Sequence, residues 1–185
     1  MANRNDNSVR RLTLIGVMAA FCFLSNYLSV PIGDVSRIHF GNVFCVLAGL
    51  LLGAVPGGLC GGIGAFFYDL TNPLYAAGAP ITFLFKFALS FVTGAVARAG
   101  GAKAQKTVQN ILAAVLGSLT YVVLYLGKSF ISEYWFQHNA METVLIKIGT
   151  KAVSSLTNAA LAVVFAMILL PVFRRAMHAA HYEEN

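Results

Sequence analysis

Residues 40–79 read FGNVFCVLAGLLLGAVPGGLCGGIGAFFYDLTNPLYAAGA, and their reading decides the fold class. A single residue in this stretch, Asp69, is charged. A bilayer core of about 30 Å is crossed by about 20 apolar residues in a helix, so the stretch is long enough for two crossings. Pro56-Gly57-Gly58 divides it, because Pro and Gly together punctuate a chain at turns. One span is expected over about 40–55 and a second over about 57–77.

The same arithmetic extends in both directions. Leu12 to Val30 carries no charge and follows Arg4, Arg10 and Arg11. It shares the basic start and apolar run of a signal peptide, but no small-x-small cleavage site follows and further apolar segments do. It is read as a retained first span, 12–30. After Asn72-Pro73 and Gly78-Ala79-Pro80 come spans over about 80–97, 108–127 and 143–172. The last exceeds the length needed and is expected to tilt or protrude. The expectation is a single all-α integral membrane domain over 1–185 with six transmembrane helices.

Composition agrees. The 185 residues are 58% hydrophobic and only 11% charged, with a mean hydropathy of +0.73. A soluble domain carries roughly a quarter charged residues, so a soluble enzyme, a nucleic-acid binder and a disordered chain are excluded. The net charge of +6 falls mainly at chain ends and short loops. Arg4, Arg10, Arg11, Arg98, Lys103, Lys106, Arg174 and Arg175 alternate onto one face, which by the positive-inside bias is cytoplasmic. Both termini are then inside. The opposite face carries loops 31–39, 71–80 and 128–142. Cys22, Cys45 and Cys60 have no metal-ligand spacing and read as small core hydrophobes.

Ionisable groups at membrane depth are costly and line cavities or sites. Asp69, Lys86, Lys147 and Lys151 qualify. Asp69 and Lys86 lie on neighbouring antiparallel helices, where they either pair structurally or face a ligand. Lys147 and Lys151 share a helix face that Asn158 continues; they either snorkel or line a polar path inward. Arg37, His39 and Asn42 belong to a short outward loop, solvated or contacting a ligand. Tyr134 and Trp135, in the outer segment before the last span, are either interfacial anchors or a stacking lid over a flat heterocycle. Together these residues outline an outward cavity with a positive bias, suited to a ligand with acceptor groups.

Small residues let membrane helices approach closely. Gly16 with Ala20, Gly53 with Gly57 and Gly61, and Gly58 with Gly62 all carry the small-xxx-small spacing. Any of these faces either packs internally or docks a partner. Catalytic patterns are missing: no metalloprotease motif, no nucleophile elbow, and a Gly127-Lys128-Ser129 that has Val122 where a P-loop needs its first Gly. A membrane binder without its own ATPase is either a small autonomous secondary transporter or one subunit of a larger machine.

Two blocks favour the second. Gly53-Ala54-Val55-Pro56-Gly57-Gly58 leading into Gly64-Ala65-Phe66-Phe67-Tyr68-Asp69-Leu70, and Ala79-Pro80-Ile81-Thr82-Phe83-Leu84-Phe85-Lys86 followed by Gly94, resemble the substrate-binding S components of energy-coupling factor (ECF) vitamin transporters, in the riboflavin/hydroxymethylpyrimidine-type branch. The resemblance covers roughly 10–175. It implies a non-enzymatic subunit of the bacterial cytoplasmic membrane, without a cofactor or metal. Such a subunit captures a vitamin or heterocyclic precursor: a pyrimidine, a pyridoxine-like compound, a flavin or a modified-base precursor. Its implied partners are a transmembrane coupling protein and two cytoplasmic ATPases. The family's Ala-x-x-x-Ala contact with the coupling protein maps onto Gly16 and Ala20, with Gly in place of the first Ala.

Overall fold

The computed structural model describes residues 2–32, 36–102 and 104–179. Asp34 and Lys103 lie outside the described residues, as does the side chain of Arg4. Helix α1 (Ala2–Ser25) leads into a hairpin of β1 (Ser29–Ile32) and β2 (Ser36–His39). Then follow α2 (Gly41–Leu52), α3 (Ala54–Leu70), the single turn α4 (Pro73–Ala76), α5 (Ala79–Arg98), α6 (Thr107–Ile131) and α7 (Met141–Ala179). Among the described residues, three helical stretches are long and apolar enough to cross a membrane: Ala79–Gly101, Thr107–Phe136 and Met141–Ala179. Gly41–Leu52 is a shorter apolar helix.

Helix α2 is the centre of the bundle. Its sequence is apolar on every side, which suits a helix surrounded by others. Val43, Cys45, Val46, Leu47, Leu50 and Leu51 are all buried, and α1, α3, α5, α6 and α7 pack around them. All three cysteines are free and buried in this core.

The break between α2 and α3 falls at Gly53, not at Pro56-Gly57-Gly58 as the sequence suggested. Gly53 takes φ 89°, a conformation that glycine adopts without a Cβ penalty. Pro56 sits in the first turn of α3, where its missing N–H costs nothing. A long-range contact makes the early break tolerable. Arg98, at the end of α5, donates to the carbonyls of Gly49, Leu50 and Leu51 at 3.1, 3.2 and 2.8 Å. The Leu50 and Leu51 carbonyls are acceptors that a helix end leaves without partners, while that of Gly49 also takes the Gly53 N–H at 3.0 Å. Arg98 acts here as a cap for α2, besides being one of the basic residues at this end of the bundle.

The glycines of α3 are contact points. A Cβ on Gly57 would meet the backbone of Ala48 and Gly49, one on Gly61 the Lys86 carbonyl and Ser90, and one on Gly64 the backbone of Ala19 and Cys22. Helix α3 thereby lies close against α2, α5 and α1 at once. Gly16 differs: a Cβ there would meet nothing within 4 Å. Of the small-residue pairs in the sequence, those on α3 are used inside the bundle and that of α1 is left open.

Two segments read as loops are ordered otherwise. Strands Ser29–Ile32 and Ser36–His39 pair antiparallel, with Ser29 opposite His39 and Ile32 opposite Ser36, which adds a small sheet to the expected all-α fold. Residues 128–136 continue the helix: α6 runs to Ile131 and a π-helical turn spans Ser132–Phe136.

Candidate functional site

One end of the bundle encloses a cavity of about 720 Å³. Strand β2, the end of α3, α4, and the adjoining halves of α5, α6 and α7 wall it in. Arg37, His39, Asp69, Lys86, Lys151 and Asn158 all line it. Residues from four distant parts of the sequence thus converge on one space.

The hairpin roofs the cavity because its free edge is occupied. In the β1–β2 register, the outward backbone groups of β2 belong to Arg37 and His39. Asn158 of α7 takes both: its Oδ1 accepts the His39 N–H at 2.9 Å, and its Nδ2 donates to the Arg37 carbonyl at 3.0 Å. Unpaired strand edges are otherwise exposed to solvent or to unwanted pairing. The Arg37 side chain reaches across to α3 and α4. Its guanidinium lies 4.9 Å from the Tyr68 ring centroid and 4.8 Å from that of Tyr75, and it donates to the Tyr68 hydroxyl at 2.5 Å. A cation between two aromatic faces is held without a carboxylate.

His39 is buried, and its Nδ1 accepts the Gly41 N–H at 3.2 Å. Nδ1 therefore carries no proton. Burial, reinforced by the nearby Lys86 and Arg37 charges, holds the imidazole pKa well below its ordinary value.

Lys86 stands at the cavity floor, only 2% exposed. Its Nζ donates to the Asn42 Oδ1 and lies 4.7 Å from the Tyr121 ring centroid. Asp69 does not neutralise it; no ion pair joins the two. Lys147 and Lys151 instead share Glu133, at 2.7 and 3.0 Å. Glu133 lies in the π-helical turn, is 6% exposed, and also accepts from Asn139 Nδ2 at 2.9 Å.

A family model described as the ECF-type riboflavin transporter S component matches residues 6–175. The chain belongs to this family. It is a substrate-binding membrane subunit of ECF transporters for vitamins, and not an enzyme. Such S components work with a transmembrane coupling component and ATPases. The solved structure of the S component of a bacterial ECF transporter has a similar fold, with a TM-score of 0.57 at 18% identity. That likeness covers 94% of this chain and 98% of the other. No curated protein sequence matches.

Within this S component, the sequence-predicted residues fall into three groups. Arg37, His39, Asp69, Lys86, Lys151 and Asn158 meet at the cavity. Asn42 lies beneath it, holding Lys86. Lys147 is set back on Glu133, and Tyr134 and Trp135 do not line the cavity; Trp135 is 69% exposed. The aromatic surfaces of the site come from Tyr75, Phe85, Tyr121 and Tyr125 instead. Sequence reasoning missed these residues and Glu133. Tyr121 and Tyr125 are four apart, hence on one helix face, and their rings stack with centroids 5.9 Å apart. That spacing was the available signal. For Glu133 it was its place as the lone acid in the polar stretch between the last two long helices.

Gly16 and Ala20 face a separate groove of about 550 Å³ between α1 and α3, lined also by Ala19, Phe23, Ile63 and Phe67. It is almost wholly apolar.

Proposed function

We propose that this S component captures a planar heterocyclic vitamin of flavin size, riboflavin first among the candidates, in the 720 Å³ cavity. The carrying observation is the combination of that volume with the tyrosines Tyr75, Tyr121 and Tyr125 and a few convergent charged groups. Small-molecule sites span about 300–1,000 Å³ and join apolar walls to a few fixed polar groups. A single-ring pyrimidine or a pyridoxine-like compound leaves much of this space unfilled. The tyrosine rings offer faces on which a flat ring system stacks.

The cavity opens beside the hairpin and α4, at the end of the bundle opposite Arg98, Lys106, Arg174 and Arg175. By the positive-inside bias that mouth faces outward. Helices α1, α2, α3, α5, α6 and α7 then make six spans in the bacterial cytoplasmic membrane, with both termini inside. The ligand is handed inward when the open face of α1 at Gly16 and Ala20 meets a transmembrane coupling protein served by two cytoplasmic ATPases.

The test is a thermal-shift series on the protein purified in detergent, against riboflavin, hydroxymethylpyrimidine, pyridoxine and a free modified-base precursor. A ligand specific for the native state adds about 2.7 kcal/mol of stability at a hundredfold excess over its Kd. The expected result is a clear shift with riboflavin. A shift with a single-ring compound and none with riboflavin overturns the flavin assignment.

A further inference from the structure

The charges around the cavity sort by partner. Arg37 lies between Tyr68 and Tyr75. Lys151 is bound to Glu133. Lys128, at the mouth, is exposed to solvent. That leaves Lys86 and Asp69, of which 2% and 6% are exposed. Among the described residues, Lys86 has the neutral Asn42 oxygen and the Tyr121 ring as its hydrogen-bond and ring partners. Among the described residues, no ion pair or hydrogen bond reaches the Asp69 carboxylate.

Their failure to pair is informative, because the helices aim them at each other. Gly61 of α3 lies level with Lys86 of α5, since a Cβ on Gly61 would meet the Lys86 carbonyl. Asp69 lies further along α3, about 12 Å at 1.5 Å per residue. Side chains lean toward the N-terminus of their own helix. On the antiparallel pair α3 and α5, Lys86 therefore leans toward the mouth and Asp69 toward the floor. The two converge on the cavity yet stop short of contact. A buried charge without a partner is costly, and here two such groups of opposite sign line one cavity.

We infer that Asp69 and Lys86 read one edge of the ligand, an N–H donor next to a carbonyl acceptor as in a lactam or imide ring. Asp69 accepts the ring N–H and Lys86 donates to the carbonyl oxygen. The ligand thereby completes both side chains at once, and the pair selects against rings that lack this edge. A fully anionic ligand would satisfy Lys86 but repel Asp69, and a cationic one the reverse. The inference rests on the cavity being the ligand site and deepens that reading by naming the chemistry it selects.

The experiment compares riboflavin with 3-methylriboflavin, in which a methyl group replaces the imide hydrogen. Dissociation constants are measured by flavin fluorescence on the full chain in detergent, for wild type, Asp69→Ala and Lys86→Met. Thermal unfolding without ligand checks that each variant folds, with Lys86→Gln as the substitute if Lys86→Met does not. Hydrogen bonds to charged groups lead us to expect riboflavin to bind wild type about 10- to 100-fold more tightly than its methylated form. In Asp69→Ala that preference should fall below about threefold, and Lys86→Met should weaken riboflavin about tenfold or more. Equal wild-type affinities for the two flavins, or a preference that persists in Asp69→Ala, overturns the inference while leaving the flavin assignment standing. If riboflavin does not bind, the flavin assignment falls and the vitamin series above decides the inference. It survives if the compound that binds carries an N–H beside a carbonyl and loses at least tenfold affinity in Asp69→Ala. It falls if that compound lacks such an edge, or if none binds.

Discussion

Asn158 of α7 holds the His39 backbone N–H of β2 at 2.9 Å, across 119 residues of sequence, and with its other atom holds the Arg37 carbonyl. A side-chain amide here does the work of a third strand. It fixes the height of the hairpin, and with it Arg37 and His39, over the cavity. Asn158→Ala should leave two backbone groups of a half-buried strand without partners, each worth about 1–3 kcal/mol. The expected result is roughly tenfold weaker ligand binding together with faster hydrogen exchange at the His39 amide. Unchanged exchange at His39 would dissolve the link between α7 and the roof.

The shared carboxylate makes a sharper prediction. Glu133→Gln leaves Lys147 and Lys151, one helix turn apart, facing each other without compensation. Removing one partner of a buried pair costs about 3–5 kcal/mol; the Lys147 side chain is 32% exposed, so about 2 kcal/mol is expected. Thermal unfolding in detergent measures it. Adding Lys147→Met to Glu133→Gln removes the repulsion and should recover part of the loss. No recovery in the double variant would mean that Glu133 matters through its backbone turn and not its charge.

Helix α1 offers a separation of binding from transport. Gly16 and Ala20 are exposed on the groove against α3, away from the cavity residues. Gly16→Leu and Ala20→Leu should each bind ligand as wild type does and fail in uptake when co-expressed with the coupling protein and ATPases. Normal uptake by both variants would remove this face from the transport cycle.

His39 gives the roof a pH dependence. Its folded pKa is depressed below the roughly 6.5 of a free imidazole, chiefly by burial and then by Lys86 and Arg37. The unfolded chain therefore binds the proton more readily than the folded one. Stability from this group is complete above about pH 6.5 and is lost as pH falls below it, by up to about 1.4 kcal/mol per pH unit. Melting temperatures between pH 7 and pH 5 test this against His39→Asn, which keeps an acceptor for the Gly41 N–H and cannot titrate. The variant's profile should be flatter over that range, and identical slopes would show that other groups govern the acid limb.

Much of this was legible in the chain itself. Apolar runs, Gly and Pro punctuation and basic ends are local properties, and they marked the long helical segments and the costly groups Asp69, Lys86 and Lys151 on a common cavity; that the Gly16 and Ala20 face is open came from the packing. The bounds erred where a distant residue intervened: the break after α2 lies at Gly53 because Arg98, from the far end of α5, caps the carbonyls that an early ending exposes.

Which charge meets which was decided only in three dimensions. Spacing along a helix fixes the face on which a side chain lies, but not the face that will come to oppose it. Asp69 and Lys86 lie on packed antiparallel helices and do not pair, while Lys147 and Lys151 find Glu133 from a turn that read as loop. The sequence determined that buried charges exist and that each must be compensated, since lipid and protein interior solvate neither sign. The tertiary structure alone decided which of them are compensated by the protein and which are not.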